Sequence, residues 1–121
     1  MSVMHRIPFE DVSAASHRIW SDKLIAAEIA KEAIEIISFA SRKKFTFFNG
    51  KSFKYIVGGL FYLLGYRYNA VKRQRVLAEH LCTTEVTIRA SYKQWLATFP
   101  EVFVDIFVKI PAEDKLRFVG F

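Results

Sequence analysis

Apolar side chains recur at every third or fourth position over most of the chain, a spacing that predicts amphipathic helices. A first helix is predicted over 9–20, with Val12, Ala15 and Ile19 on its apolar side. Ser21 is the predicted N-cap of a second helix, because its hydroxyl can accept a hydrogen bond from a backbone N–H. The apolar side of this second helix has four members: Ile25, Ile29, Ala33 and Ile37. Four charged residues are predicted to face water on its other side: Glu28, Lys31, Glu32 and Glu35.

The stretch KSFKYIVGGLFYLLGYRY is apolar on nearly every side of a helix, which predicts a central helix surrounded by the others. Ser52 is its predicted N-cap. Gly58 and Gly59 lie inside it, where each glycine costs roughly 1 kcal/mol relative to alanine. The expected compensation is a close approach by a neighbouring helix, with a bend as the alternative.

Two segments leave alternatives open. The stretch RKKFTFFNGK is either a helix extension that ends at Gly50 or a short hairpin, and we expect its phenylalanines to anchor it to the core. Stacking of these rings on nucleic-acid bases is the alternative. The stretch VFVDIFVKI alternates like a strand, although a short helix or an ordered tail is also compatible with it. We predict one all-α domain over 1–121, with its core at about 9–103 and a C-terminal tail at 104–121.

The stretch VKRQRVLAEHLCTTEVTIRASYKQWLATF predicts two helices joined by a tight turn. The spacing of Gln74, Ala78, Cys82 and Ile88 is that of a helix-turn-helix. Ala78 is small where two helices cross, Cys82 occupies the turn position where glycine is common, and Ile88 joins the second helix to the core. In such a unit the second helix enters the major groove of DNA with its N-terminal turns.

Those N-terminal turns carry the candidate site. Arg89 can donate two hydrogen bonds to guanine, and Val86 can contact the methyl group of thymine. Thr84 and Thr87, with the N–H groups at the helix start, can hold phosphate oxygens, and Lys93 can reach the DNA backbone one turn beyond Arg89. An ordinary amphipathic helix, in which Arg89 pairs with Glu85 one turn earlier, is the alternative that spacing leaves open.

Charge changes this picture more by its placement than by its total. The 121 residues include 18 Lys and Arg against 12 Asp and Glu, a formal charge of +6 that suits an anionic partner. No acid interrupts the basic residues between positions 42 and 75, which are Arg42, Lys43, Lys44, Lys51, Lys54, Arg67, Lys72, Arg73 and Arg75. Lys72, Arg73 and Arg75 adjoin the predicted helix-turn-helix and are expected to contact DNA phosphates. A solvated surface is the alternative, although solubility surfaces usually mix both signs.

Other chemistries find little support. The single cysteine, Cys82, excludes an internal disulfide and suits a reducing compartment. The N-terminal residues lack the apolar run of a secretory signal, and the apolar stretch 55–66 is about half of the ~20 residues that cross a bilayer, so we expect a soluble intracellular protein. His5, His17 and His80 have no zinc-like spacing with Cys82, so we expect no metal, cofactor or enzymatic activity.

The stretch EVTIRASYKQW strongly resembles the last long helix of the second cyclin-like repeat of transcription factor IIB. SDKLIAAEIAKEAIEI and KSFKYIVGGLFYLLGYRYNAVKRQRVLAEHL are similar, in order, to earlier helices of that repeat. The resemblance covers roughly 9–103. It implies a five-helix cyclin-box fold that ends in a helix-turn-helix.

The resemblance also implies a function. In that family the repeat binds the complex of TATA-binding protein and double-stranded promoter DNA, and its last two helices read the DNA upstream of the TATA box. Val86 and Arg89 would then contact bases and Lys93 the backbone, in the nucleus, or in the cytoplasm and nucleoid of an archaeon. This chain has one repeat and too few cysteines for the zinc ribbon of the family, so binding of RNA polymerase is not transferred. A cyclin-like module that binds protein and not DNA is the alternative.

Overall fold

The computed structural model of the protein describes residues 7–111, and within this range the chain is all-helical, as predicted. The six α-helices of this range are α1 (Phe9–Ile19), α2 (Lys23–Lys43), α3 (Phe53–Arg67), α4 (Gln74–Leu81), α5 (Glu85–Thr98) and α6 (Val104–Phe107). Two short 3-10 turns lie at Phe45–Phe48 and Pro100–Val102.

Helix α3 is the centre of the fold, in agreement with the prediction. Every residue from Ile56 to Gly65 is buried, so the helix has no water-facing side over this length. Helix α5 packs along α3 more extensively than any other helix does, while α2 and α4 contact it less. The predicted cap is also confirmed, because the Ser52 hydroxyl accepts a hydrogen bond from the N–H of Tyr55 at 3.2 Å.

The two glycines of α3 are explained by its contact with α5. A Cβ atom on Gly59 would lie 2.5 Å from the backbone nitrogen of Tyr92 and 2.6 Å from the carbonyl carbon of Ser91. A Cβ atom on Gly58 would lie 2.5 Å from Cδ1 of Ile88. The contacts at Gly59 are with backbone, which cannot shift by itself, so glycine is required there for the two helices to approach this closely. The contact at Gly58 is with the end of a side chain, which can move.

Two side-chain hydrogen bonds fix α5 in place on α3. The Ser91 hydroxyl donates to the carbonyl oxygen of Tyr55, and Nε1 of Trp95 donates to the carbonyl oxygen of Ile56 at 3.0 Å. Both acceptors lie in the first turn of α3, where they are within reach of the inner side of α5. The position of α5 is therefore set by direct backbone contact and by bonds to the neighbouring helix.

The start of α2 corrects the predicted cap. Asp22, and not Ser21, is the N-cap, and its carboxylate accepts hydrogen bonds from the N–H groups of Leu24 and Ile25 at 2.9 and 3.1 Å. A carboxylate at this position also interacts favourably with the positive end of the helix, which a hydroxyl does not. Of the predicted apolar side, Ile25 is only partly buried, whereas the three later members are buried.

Glu32 does not face water as predicted but joins α2 to α3 and α6. Nη1 of Arg67 and the hydroxyl of Tyr68 both donate to its carboxylate. Arg67 also holds both carboxylate oxygens of Asp105, at 2.7 and 3.0 Å, and donates to the carbonyl oxygen of Val102 at 2.5 Å. These five residues form what we call the Arg67 cluster.

The segment after α2 is neither of the two predicted alternatives. It forms a 3-10 turn at Phe45–Phe48, and Gly50 follows with a positive φ of 73°. Phe47 and Phe48 are buried against Trp95, so the expectation that these rings anchor the segment is confirmed for two of the three. Phe45 is 55% exposed.

The end of the described chain is helical, and the strand suggested by its alternation is wrong. Helix α6 buries Ile106, and Ile110 is buried beyond it, so the core continues past the predicted limit at 103. A single strand would have left its backbone groups without a partner, whereas a helical turn satisfies them locally. The rest of the predicted tail, 112–121, lies outside the described residues.

Candidate nucleic-acid interface

The turn between α4 and α5 is tight, as predicted from the sequence. Cys82 ends α4 in the left-handed region, with φ 56° and ψ 50°. Its N–H donates to the carbonyl oxygen of Glu79 at 3.3 Å, and the N–H of Thr83 donates to that of Ala78 at 2.9 Å. Nζ of Lys54, from the first turn of α3, donates to the carbonyl oxygen of Cys82 at 3.0 Å. The turn is therefore held by its own backbone and by a lysine from the central helix.

Thr84 is the N-cap of α5. Its hydroxyl oxygen accepts a hydrogen bond from the N–H of Thr87 at 3.1 Å, and the two threonine hydroxyls are 3.0 Å apart. Thr84 is exposed and Thr87 is partly exposed. The two residues predicted to hold phosphate thus lie side by side at the start of the helix, where the first N–H groups have no partner within the helix.

Helix α5 has a buried side and an outer side. Its buried residues are Ile88, Ser91, Tyr92, Trp95 and Leu96. On the outer side Val86 is 69% exposed, and Arg89 and Lys93 lie three and seven residues further along the same face. Both cations are partly buried, less exposed than predicted. In the part of the chain that the structure describes, neither forms an ion pair, so the alternative in which Arg89 pairs with an acid is not observed.

Sequence reasoning missed two features of this outer face. Ala90 and Ala97 are exposed and lie on the same face as Val86, beside the longer side chains of Arg89 and Lys93. The two alanines leave room for a partner to approach the helix backbone. Gln94 borders the face and accepts a hydrogen bond from the hydroxyl of Tyr55 at 2.8 Å. The alanine spacing was a visible signal, whereas the Tyr55–Gln94 bond spans 39 residues and has no local pattern.

Two of the three predicted phosphate contacts before and within α4 lie close to the start of α5. Arg73 and Arg75 are exposed, and Lys72 is partly exposed. Arg73 and Arg75 border an open groove of about 440 Å³, which the first residue of α5 also borders. We call it the α4–α5 groove, and its lining residues are Tyr62, Tyr66, Val71, Arg73, Gln74, Arg75 and Glu85.

The acid-free basic stretch divides into two groups in the structure. Lys51 lies 4.9 Å from the ring centre of Phe47 and donates to its carbonyl oxygen at 2.6 Å, and burial lowers the pKa of Lys51. Lys43 lies over the ring of Phe39, and Arg67 belongs to its own cluster. These three cations therefore contact groups within the fold. Beside the α4–α5 unit, Lys54 donates to the turn. No such contact is seen among the described residues for the other cations there, Lys72, Arg73 and Arg75.

Within residues 7–111 no group of three His, Cys, Asp or Glu side chains is placed to hold a metal ion. No helix in the same range combines the length and the apolar character needed to cross a membrane. No family model, curated protein or solved structure matches this chain. The resemblance to transcription factor IIB therefore rests on the residues of this chain alone.

Proposed function

We propose that this protein is the DNA-binding domain of a transcription factor IIB-like general initiation factor. In this proposal α4 and α5 act as a helix-turn-helix, α5 enters the major groove of promoter DNA, and the domain binds the promoter complex of TATA-binding protein. The number of longer helices, five from α1 to α5, is the number that the resemblance implies for a cyclin box, which supports that assignment.

The observation that carries the proposal is the outer face of α5. The exposed Val86 and Arg89 lie on the first turns of a helix that begins after a tight turn, and Lys93 lies one turn further. Neither cation has an acidic partner among the described residues. An arginine at this position has the donors that guanine accepts, and a valine has the apolar surface that fits a thymine methyl. Two threonine hydroxyls at the helix start suit phosphate oxygens.

A second candidate function is a cyclin-like module that binds protein. The observation in its favour is an apolar groove of about 380 Å³ between the end of α5 and α6. Val104 borders this groove and is 68% exposed. A groove of this kind fits an apolar protein segment and does not by itself require DNA.

Binding to promoter DNA at increasing salt tests the proposal. If about 4 to 6 phosphates are neutralised, the slope of log K against log salt should lie near −4 to −5. TATA-binding protein should increase the affinity on a duplex that carries a TATA box. A matched control is Lys31→Ala, which removes an exposed cation from α2, outside the interface, and should leave the slope unchanged. A wild-type slope near zero would favour the protein-binding module.

A further inference from the structure

The α4–α5 groove contains a carboxylate among its cations. Glu85 is the first residue of α5, is exposed, and borders the same groove as Arg73 and Arg75. Among the described residues it forms no ion pair with either arginine. An acid at a helix start interacts favourably with the helix dipole, and on an ordinary helix that would account for it. On a helix that meets DNA, the same carboxylate is repelled by phosphates unless it finds a hydrogen-bond donor.

We propose that Glu85 is a specificity-determining residue that accepts a hydrogen bond from the N4 amine of cytosine in the major groove. This inference rests on the proposed function. An ionised carboxylate can only accept hydrogen bonds. Cytosine presents a donor on its major-groove edge, adenine presents a donor beside the N7 acceptor, and guanine and thymine present acceptors where a donor is needed. Glu85 therefore favours cytosine, tolerates adenine and disfavours the other two bases.

The position of Glu85 also sets where the cytosine lies. Glu85 precedes Arg89 by four residues, so the two side chains lie on neighbouring turns of the same side of α5. One helical turn advances 5.4 Å, and successive base pairs are 3.4 Å apart, so the two bases are about one to two base pairs apart. Arg73 and Arg75 border the same groove as Glu85, so in this proposal they contact phosphates near this cytosine.

The test is a binding selection from random-sequence DNA duplexes with the wild type, Glu85→Gln, Glu85→Ala and Glu79→Gln. Glu79 is an exposed acid on α4 that does not border the groove, so its variant removes the same charge from the same unit. The wild type should enrich cytosine at one position by about 5- to 100-fold. Glu85→Ala should lose that preference, whereas Glu85→Gln should shift it to adenine, because a glutamine amide pairs with both N6 and N7.

The outcomes separate the two proposals. Glu79→Gln should keep the cytosine preference, and both glutamine variants should bind all sequences more tightly because each loses a negative charge. If Glu85→Gln binds more tightly but selects the same bases as the wild type, Glu85 acts through charge alone, and this inference is wrong while the proposed function stands. If the wild type selects no sequence and its binding does not depend on salt, the proposed function itself is wrong.

Discussion

The Arg67 cluster and the outer face of α5 both contain an arginine from the basic half of the chain, but they surround it differently. Arg67 donates to two carboxylates and to a backbone carbonyl. Burial alone would lower the pKa of its guanidinium, but the hydrogen bonds and charges of Asp105 and Glu32 raise it, so Arg67 stays charged. Arg89 has no such carboxylate in the described chain. A run of cations in the sequence therefore combines residues that stabilise the fold with residues that are available to a partner.

The largest loss of stability is expected from a substitution in α3, the helix that ends at Arg67 and also supports α5. Gly59→Ala places a carbon against the backbone of α5, which cannot yield without moving the helix, so we expect a loss of about 3 kcal/mol or more in unfolding free energy. Gly58→Ala is the matched control. Its new carbon meets only the end of the Ile88 side chain, and alanine gains roughly 1 kcal/mol of helix propensity. Denaturant unfolding of both variants measures the difference, and equal stabilities would contradict the close contact.

Arg67→Met and Arg89→Met separate the two regions directly. Arg67→Met leaves two partly exposed carboxylates and a carbonyl without their donor, and should cost about 1–3 kcal/mol of stability. Arg89→Met should change stability by less than about 0.5 kcal/mol. Denaturant unfolding provides the stabilities, and binding to the preferred duplex provides the opposite order. Affinity for that duplex should stay unchanged in folded Arg67→Met and fall in Arg89→Met. Similar loss of DNA binding in both would mean that the two regions are not functionally distinct.

Arg89 and Lys93 sharpen the comparison within the outer face. Arg89 lies in the first turns of α5, where side chains reach base edges, and Lys93 lies one turn further. Arg89→Ala should nearly abolish the preference at one base pair, worth about 1–3 kcal/mol. Lys93→Ala should weaken binding to all sequences alike and reduce the salt slope by about one unit.

Binding to preferred and scrambled duplexes, with circular dichroism as a check of folding, measures both effects. Equal losses on preferred and scrambled DNA in the two variants would make Arg89 a phosphate contact. If neither variant changes DNA binding, α5 faces another partner and the protein-binding module is favoured.

Some local features of this fold could be predicted from the sequence, whereas the hydrogen bonds of Arg67 to distant residues could not. The cap at Ser52 and the tight turn at Cys82 depend on a few neighbouring residues, and both are observed as predicted. The close approach at Gly59 was indicated by a costly residue in an apolar helix. The partners of Arg67 are 35 and 38 residues away, so no local pattern reveals them, and Arg67 was counted among the available cations. Glu32 was predicted to face water for the same reason.

The smallest expected change in stability is caused by low pH, which should weaken the Arg67 cluster. The hydrogen bond from Arg67 lowers the pKa of the Asp105 carboxyl below its ordinary value. A carboxyl with a lowered folded-state pKa contributes stability above its unfolded pKa, about 3.9, and loses that contribution as pH falls through the folded value. The contribution is small because Asp105 is about half exposed and the pair is screened by solvent.

Asp105→Asn removes this titration. The variant should be less stable than the wild type at neutral pH, and the difference in unfolding free energy should shrink as pH falls below about 4. Glu79→Gln is the control, because Glu79 is exposed and forms no ion pair among the described residues. Its difference from the wild type should not follow the same course with pH. Denaturant unfolding across the acid range makes the comparison. A constant difference between wild type and Asp105→Asn would mean that Arg67 binds the neutral carboxyl equally well, and that the charge of the cluster does not contribute to its stability.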